Sequence, residues 1–145
     1  MSASTPIFVF GSNLLGIHGA GAALHAANRY GARRGVGVGR TGDAYAIPTK
    51  TKPTRGNGDA CSLSAIGDYV ANFLDYARAH PELTFMVAAI GCGLAGFTPA
   101  QIGPLFRGSP DNVKLPEVFH VHALGKIMRE RISFPATNNG RAFER

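Results

Sequence analysis

Two glycine-rich segments of the sequence have the composition of phosphate-binding loops. The first contains Gly19, Ala20 and Gly21 at the start of an alanine-rich stretch. Glycines leave the backbone N–H groups of a loop exposed, and such groups beside a helix N-terminus bind phosphate. Two such loops that face each other would suit a pyrophosphate. The alternative is that the glycines only form tight turns and helix–sheet contacts. The second segment consists of Gly91, Cys92, Gly93, Leu94, Ala95, Gly96 and Phe97, the last placed to pack against a ribose or base.

Three side chains in or near these segments could do nucleophilic or acid–base chemistry. Lys50 would be a nucleophile if desolvation or the nearby Lys52 and Arg55 lowered its pKa; the alternatives are a phosphate contact and an inert position. His18 could donate to a phosphate, act as an acid, or only form a turn. A helix start would lower the pKa of the Cys92 thiol, but no arginine follows at the spacing of a cysteine phosphatase, which favours a structural role.

The sequence predicts neither a metal site nor a cofactor. His120 and His122 are two residues apart, so they share a face only if this stretch is a strand, and a helix is the preferred interpretation. Cys61 and Cys92 have neither metal-ligand spacing nor a disulfide-dense pattern.

The elements that must position these residues alternate along the chain. The segment Gly19–Ala32 is predicted helical, Ser62 is predicted to cap a helix, and Thr98 to cap another with Pro99 at its first position. The glycine-rich stretch 33–43 is predicted to be a loop or a hairpin, and 51–62 a polar loop. Strands are predicted over 6–10, 44–47 (closed by Pro48), 84–90 and 112–115, and further helices over 63–80 and 116–132.

This alternation predicts an α/β fold with a mostly parallel or mixed sheet covered on both faces, in three layers. Ligands of such sheets bind at the carboxyl ends of the strands, where the glycine-rich segments lie. One domain is expected over residues 1–132, followed by a flexible tail over 133–145.

Composition and charge limit the classes of function that the protein can have. The chain has 145 residues, 45% of them hydrophobic, and no apolar run resembles a signal peptide or a membrane span, so we expect a cytoplasmic protein. The net charge is +6, with the basic excess in the first 60 residues and the tail, which favours an anionic partner. Nucleic acid is the weaker alternative, bound through the basic loop with Arg33, Arg34 and Arg40 and through the basic tail. Few aromatic residues are interleaved there for base stacking.

Three ordered segments resemble the macrodomain family: FGSNLLGIHGAGAALHAANRYGA, YAIPTK and IGCGLAGF. The likeness covers about residues 6–115 and is nearest to the branch that includes terminal ADP-ribose protein glycohydrolase; small phage and bacterial proteins also share these motifs. The resemblance implies that Asn13 and Phe97 lie near the distal ribose of ADP-ribose. It also implies that the two glycine-rich segments hold the diphosphate, and that Lys50 attacks the anomeric carbon to form a covalent sugar adduct.

One departure from that branch favours binding over catalysis. The glycohydrolases have a catalytic Asp where this chain has Ala95, and Asp43 and Asp59 lie in loops that the sequence does not place. The leading hypothesis is therefore binding of ADP-ribose or a related NAD-derived nucleotide. The alternative is hydrolysis of an ADP-ribosyl or phosphate-ester bond with Lys50, His18 or an activated water. If a sheet edge is truncated, the C-terminal helix or a second subunit of a homo-oligomer is expected to cover it.

Overall fold

The computed structural model describes residues 5–56 and 58–123 and shows an α/β fold. Its strands are β1 (Ile7–Asn13), β2 (Gly39–Thr41), β3 (Ala44–Lys50), β4 (Phe85–Val87) and β5 (Val113–Lys114). Its helices are α1 (Gly21–Arg29), α2 (Leu63–Ala79), α3 (Pro99–Ile102), which continues into a 3₁₀ turn over Gly103–Phe106, and α4 (residues 117–123).

The five strands form one mixed sheet in the order β2-β3-β1-β4-β5. The central strand β1 is parallel to both of its neighbours, and Val9 pairs with Tyr45 on one side and Val87 on the other. β5 is parallel to β4, whereas β2 is antiparallel to β3. The carboxyl ends of β1, β3 and β4 therefore lie at one edge of the sheet, and the segments that follow them meet there.

Successive side chains of β1 point to opposite faces of the sheet and belong to two separate core clusters. Ile7 and Val9 belong to the larger core cluster, which also contains the apolar side of α2. Phe10 belongs to a smaller cluster with Ala26 of α1. Phe73 of α2 anchors the larger cluster, because its fully buried ring lies 5.0 Å from the ring of Tyr45 and 5.3 Å from that of Phe85.

Three strands end at positions other than the predicted ones, and the first is β1, which continues to Asn13 instead of ending at residue 10. β3 continues through Pro48 to Lys50. β2 pairs with β3 only as far as Ala46, so Pro48 lies where one edge of β3 is unpaired and a missing N–H is tolerated. β4 ends at Val87 rather than at residue 90, because the N–H of Ile90 bonds back to the carbonyl of Ala88 and turns the chain.

The other elements agree with the sequence in type. The stretch 33–43 forms a hairpin through β2, and β5 is the short strand predicted over 112–115. Ser62 caps α2 by accepting from the N–H of Ala65, and Thr98 caps α3 in a capping box with Gln101. α1 begins at Gly21, later than predicted. The predicted helix 116–132 is helical over 117–123, and its remainder and the tail 133–145 lie outside the described residues.

Candidate functional site

A cavity of about 790 Å³ lies at the carboxyl edge of the sheet. This volume is within the range of small-molecule binding sites. The segments after β1, β3 and β4 all contribute to its wall, as the sequence predicts for parallel strands. The lining residues are Gly11, Ser12, Asn13, Ile17, Gly19, Ala20, Gly21, Ala22, Ala23, Thr49, Lys50, Pro53, Thr54, Arg55, Gly56, Ala88, Ala89, Ile90, Gly91, Gly93, Leu94 and Ala95.

The N-terminus of α1 forms one part of the wall. Its N-cap, Ala20, provides no side-chain acceptor, and the first turn contains no acidic residue. The first N–H groups of a helix have no intrahelical acceptor and carry a partial positive charge. Because Gly19 to Ala23 all line the cavity, these N–H groups are available to an anionic ligand.

Asn13 closes the loop between β1 and α1. Its Nδ2 donates to the carbonyl of Ile17 at 2.9 Å, and its Oδ1 accepts from the N–H of Ile17 at 3.1 Å. The side chain is buried and lines the cavity. Among the described residues, one hydrogen and one lone pair of the amide have no partner, so the side chain can hold the loop and contact a ligand hydroxyl at the same time.

The loop after β4 forms another part of the wall and is closed by its own backbone. The N–H of Phe97 donates to the carbonyl of Gly91 at 2.8 Å, and that of Gly96 to the carbonyl of Gly93 at 3.0 Å. Gly91 has φ 75°, and a Cβ there would lie 3.0 Å from Ile102 Cδ1. Gly93 is different, because a Cβ there would meet nothing within 4 Å.

Lys50 lies in the wall and is almost fully buried, with 6% of its surface exposed. Its Nζ bonds to the carbonyls of Thr54 and Gly56, both at 2.7 Å, and to Thr54 Oγ1 at 3.1 Å. These acceptors belong to the segment after β3, whose Pro53, Thr54, Arg55 and Gly56 also line the cavity. Lys50 therefore joins the end of β3 to the cavity wall.

All charged side chains that line the cavity are positive. Lys50 and Arg55 are its cations, and no Asp or Glu is among the lining residues. The ion pair between Arg78 and Asp75 is the only one within residues 5–56 and 58–123, so neither wall cation has a carboxylate partner there. Positive charge and free N–H groups in a concave site favour an anionic ligand.

Most of the predicted site residues meet in this cavity. Cys92, Gly96, Phe97 and His18 do not line it. Phe97 instead packs against the larger core cluster, behind the loop that it closes. The predicted lining residues that the structure brings together are Asn13, Gly19, Ala20, Gly21, Lys50, Gly91, Gly93, Leu94 and Ala95.

His18 faces the protein interior rather than the cavity. The residue is 8% exposed, and its ring stands edge-on to Phe10 and places Nε2 3.1 Å from the carbonyl of Arg33. Nδ1 has no hydrogen-bond partner among the described residues. The Nε2 contact joins the loop after β1 to the segment at Arg33, and His18 is not among the residues that line the cavity.

The acids considered as replacements for the missing Asp lie elsewhere. Neither Asp43 nor Asp59 lines the cavity, and Ala95 contributes only a buried methyl group to the wall. Sequence reasoning did not assign Thr49, Ala88 and Ala89 to the site. Thr49 directly precedes Lys50, and the signal for the two alanines was their position three and two residues before Gly91.

The pKa of the Cys92 thiol is raised, not lowered as a helix start would make it. Burial raises its pKa above the ordinary value, and the thiol group is not at the cavity wall. Burial likewise raises the pKa of Cys61. Both cysteines are free, and both remain protonated thiols at neutral pH.

We expect Cys92 to react slowly in the folded protein. A raised pKa lowers the thiolate fraction at a given pH, and the thiolate is the reactive form. In a Cys61→Ser background, alkylation by iodoacetamide at pH 8 should be at least about fivefold slower in the native protein than in urea. An equal or faster native rate would show an activated thiol and contradict a structural role.

The described part of the chain contains neither a cluster of metal-ligating side chains nor a helix that could span a membrane. α4 is helical through residues 120 and 122, so His120 and His122 lie on different faces of it. Across residues 5–56 and 58–123, no three His, Cys, Asp or Glu side chains form a cluster that could hold a metal ion. No helix in the same residues is long and apolar enough to span a bilayer.

Comparisons of the chain with protein-family models, with curated proteins and with solved structures find no match.

Proposed function

We propose that this protein binds an anionic nucleotide of the ADP-ribose type in the cavity at the carboxyl edge of the sheet. The observation that carries the proposal is the wall itself. It combines the uncapped N-terminus of α1, the glycine loop after β4 and two cations, with no acidic side chain among its residues. N–H groups on two separate segments suit a diphosphate, and the cavity has the volume of a nucleotide site.

The sequence resemblance to macrodomains supports ADP-ribose among nucleotides. Both segments that the resemblance assigns to the diphosphate contribute to one wall. Asn13 lines the same wall, and part of its amide has no partner among the described residues. We therefore place the diphosphate between the N-terminus of α1 and residues 91–95, and a ribose near Asn13.

Binding is favoured over hydrolysis by the side chains at the wall. Hydrolysis needs a positioned base or nucleophile within reach of the bond that breaks. Ala95 has no proton to transfer, His18 faces the interior, and all three hydrogens of the Lys50 ammonium are used within the protein. The proposed role is therefore recognition or sequestration of the nucleotide.

The experiment is calorimetric titration of ADP-ribose into the wild type and into Gly93→Glu. Position 93 accepts a side chain because a Cβ there meets nothing, so the variant should fold and place a carboxylate at the wall. We expect micromolar binding by the wild type and a loss of at least about thirtyfold in the variant, because like charges placed together cost several kcal/mol.

Gly93→Gln is the matched control, since it has nearly the same size and no charge. We expect it to lose much less affinity than Gly93→Glu. Equal losses in the two variants would show that bulk rather than charge is excluded. If the folded wild type gives no heat of binding with ADP-ribose, the proposal is overturned. If an oligonucleotide binds in the cavity and ADP-ribose does not compete with it, the site is a nucleic-acid site instead.

A further inference from the structure

The environment of the Lys50 ammonium determines what this side chain can do. An ammonium group has three hydrogens, and three oxygen atoms of the protein lie 2.7–3.1 Å from Nζ. Two are the carbonyls of Thr54 and Gly56, and the third is Thr54 Oγ1. Every hydrogen therefore has an acceptor within the protein.

A lysine that attacks carbon must be a neutral amine with its lone pair directed at the substrate. A neutral amine has two hydrogens, so it would leave at least one of the three acceptors around Nζ without a donor. Leaving one of these acceptors without its donor makes the neutral amine less favourable than the ammonium in this position. The contacts therefore oppose a nucleophilic role for Lys50.

The same contacts fix the segment that carries Arg55. Residues 54 and 56 are both bonded to Nζ, so the backbone is held on each side of Arg55. Thr54 is held further because its Oγ1 also donates to the carbonyl of Gly58 at 2.6 Å. Arg55 itself is exposed, lines the cavity and forms no ion pair within the described ranges.

We infer that Lys50 is a positioning residue and that Arg55, held in place by it, is the residue that selects the anionic group of the ligand. A guanidinium bonds to two oxygens of a phosphate or carboxylate in its own plane, and fixing its backbone reduces the entropy lost on binding. The ligand class is then a nucleotide with a phosphate oxygen accessible to Arg55. This inference rests on the proposed function.

A double-mutant cycle with ADP-ribose as the probe tests the coupling between the two residues. Lys50→Met keeps the length of the side chain and removes the ammonium, and Arg55→Met removes the guanidinium. We expect each single variant to weaken binding about tenfold, and the double variant to be little weaker than either, because both changes remove the same contact. Additive losses would mean that Lys50 contacts the ligand independently of Arg55 and would overturn the inference.

Thr54→Val is a second variant that leaves both cations in place. It removes the hydroxyl that accepts from Lys50 and donates to Gly58, and the shape of the side chain is preserved. If Lys50 acts through the segment, Thr54→Val should lower affinity by about threefold. If affinity does not change while Lys50→Met loses tenfold, a direct role of Lys50 is favoured and the inference fails.

Limited trypsin digestion tests the positioning role without any ligand. Trypsin cleaves after Arg55 only when the segment can leave its position, so Lys50→Met should raise the rate of this cleavage about tenfold over the wild type. An unchanged rate would overturn the positioning role. The rate of cleavage after Arg55 is measured independently of ADP-ribose binding. Either measurement can give the expected result while the other does not, so a failure of the inference can be distinguished from a failure of the proposed function.

Discussion

Gly37→Ala should lower the free energy of unfolding by about 3 kcal/mol or more, because the substitution forces backbone atoms apart. A Cβ at this position would lie 2.2 Å from the carbonyl oxygen of Asn13 and 2.9 Å from the carbonyl of Leu14. Neither contact is the end of a flexible side chain. The hairpin segment would have to move away from the end of β1, and urea denaturation with circular dichroism would measure the loss.

Gly19→Ala is the matched control for this substitution. Gly19 also has an ordinary φ, and a Cβ there meets nothing within 4 Å. We expect its free energy of unfolding to stay within about 0.5 kcal/mol of the wild type, as for other uncrowded surface changes. If Gly37→Ala were as stable as Gly19→Ala, the close approach of the hairpin to β1 would be wrong.

Asn13→Ala should destabilise the fold by about 3 kcal/mol and weaken ADP-ribose binding about tenfold. The substitution removes both hydrogen bonds to Ile17 and leaves the N–H and carbonyl of that residue without partners. The loop that leads to the N-terminus of α1 would then lose its fixed geometry. Thermal unfolding and calorimetry on the same preparation would measure the two effects.

Asn112→Ala separates the loss of stability from the loss of binding. Asn112 Nδ2 lies 3.0–3.1 Å from the carbonyls of Ala77, His80 and Leu83, and this residue is not part of the cavity wall. We expect a comparable loss of stability with affinity for ADP-ribose unchanged within about twofold. A tenfold loss of affinity here would mean that binding reports global stability rather than the geometry at Asn13.

The sequence predicts that the glycine-rich segments meet at one edge of the sheet, because this follows from the alternation of strands and helices along the chain. Parallel strands end at one edge, and the apolar periodicity of α2 and the short buried strands are visible without a structure. Thr98 with Pro99, and Ser62 before α2, identify helix starts through local chemistry.

The role of the segment after β3 was not predictable in the same way. Its composition is that of a polar loop, and only the folded chain shows that Thr54 and Gly56 take the hydrogens of Lys50. His18 and Phe97 do not line the cavity for a related reason. His18 directly precedes the wall residue Gly19, and Phe97 follows the wall residue Ala95 by two positions, but the ring of His18 packs against Phe10 and Phe97 packs against the larger core cluster.

The central place of β1 has a consequence for how the chain folds. Val9 cannot complete its pairing until Tyr45 and then Val87 have been synthesised, so the first long strand made is the last to be enclosed. Non-local pairing of this kind slows folding, and a nascent chain folds from its N-terminus as it emerges. Until β4 docks, one side of β1 is an open template for another strand. The cavity at the carboxyl edge forms at that same late step, so a ligand that bound there would select only chains that have finished folding and would stabilise them by mass action.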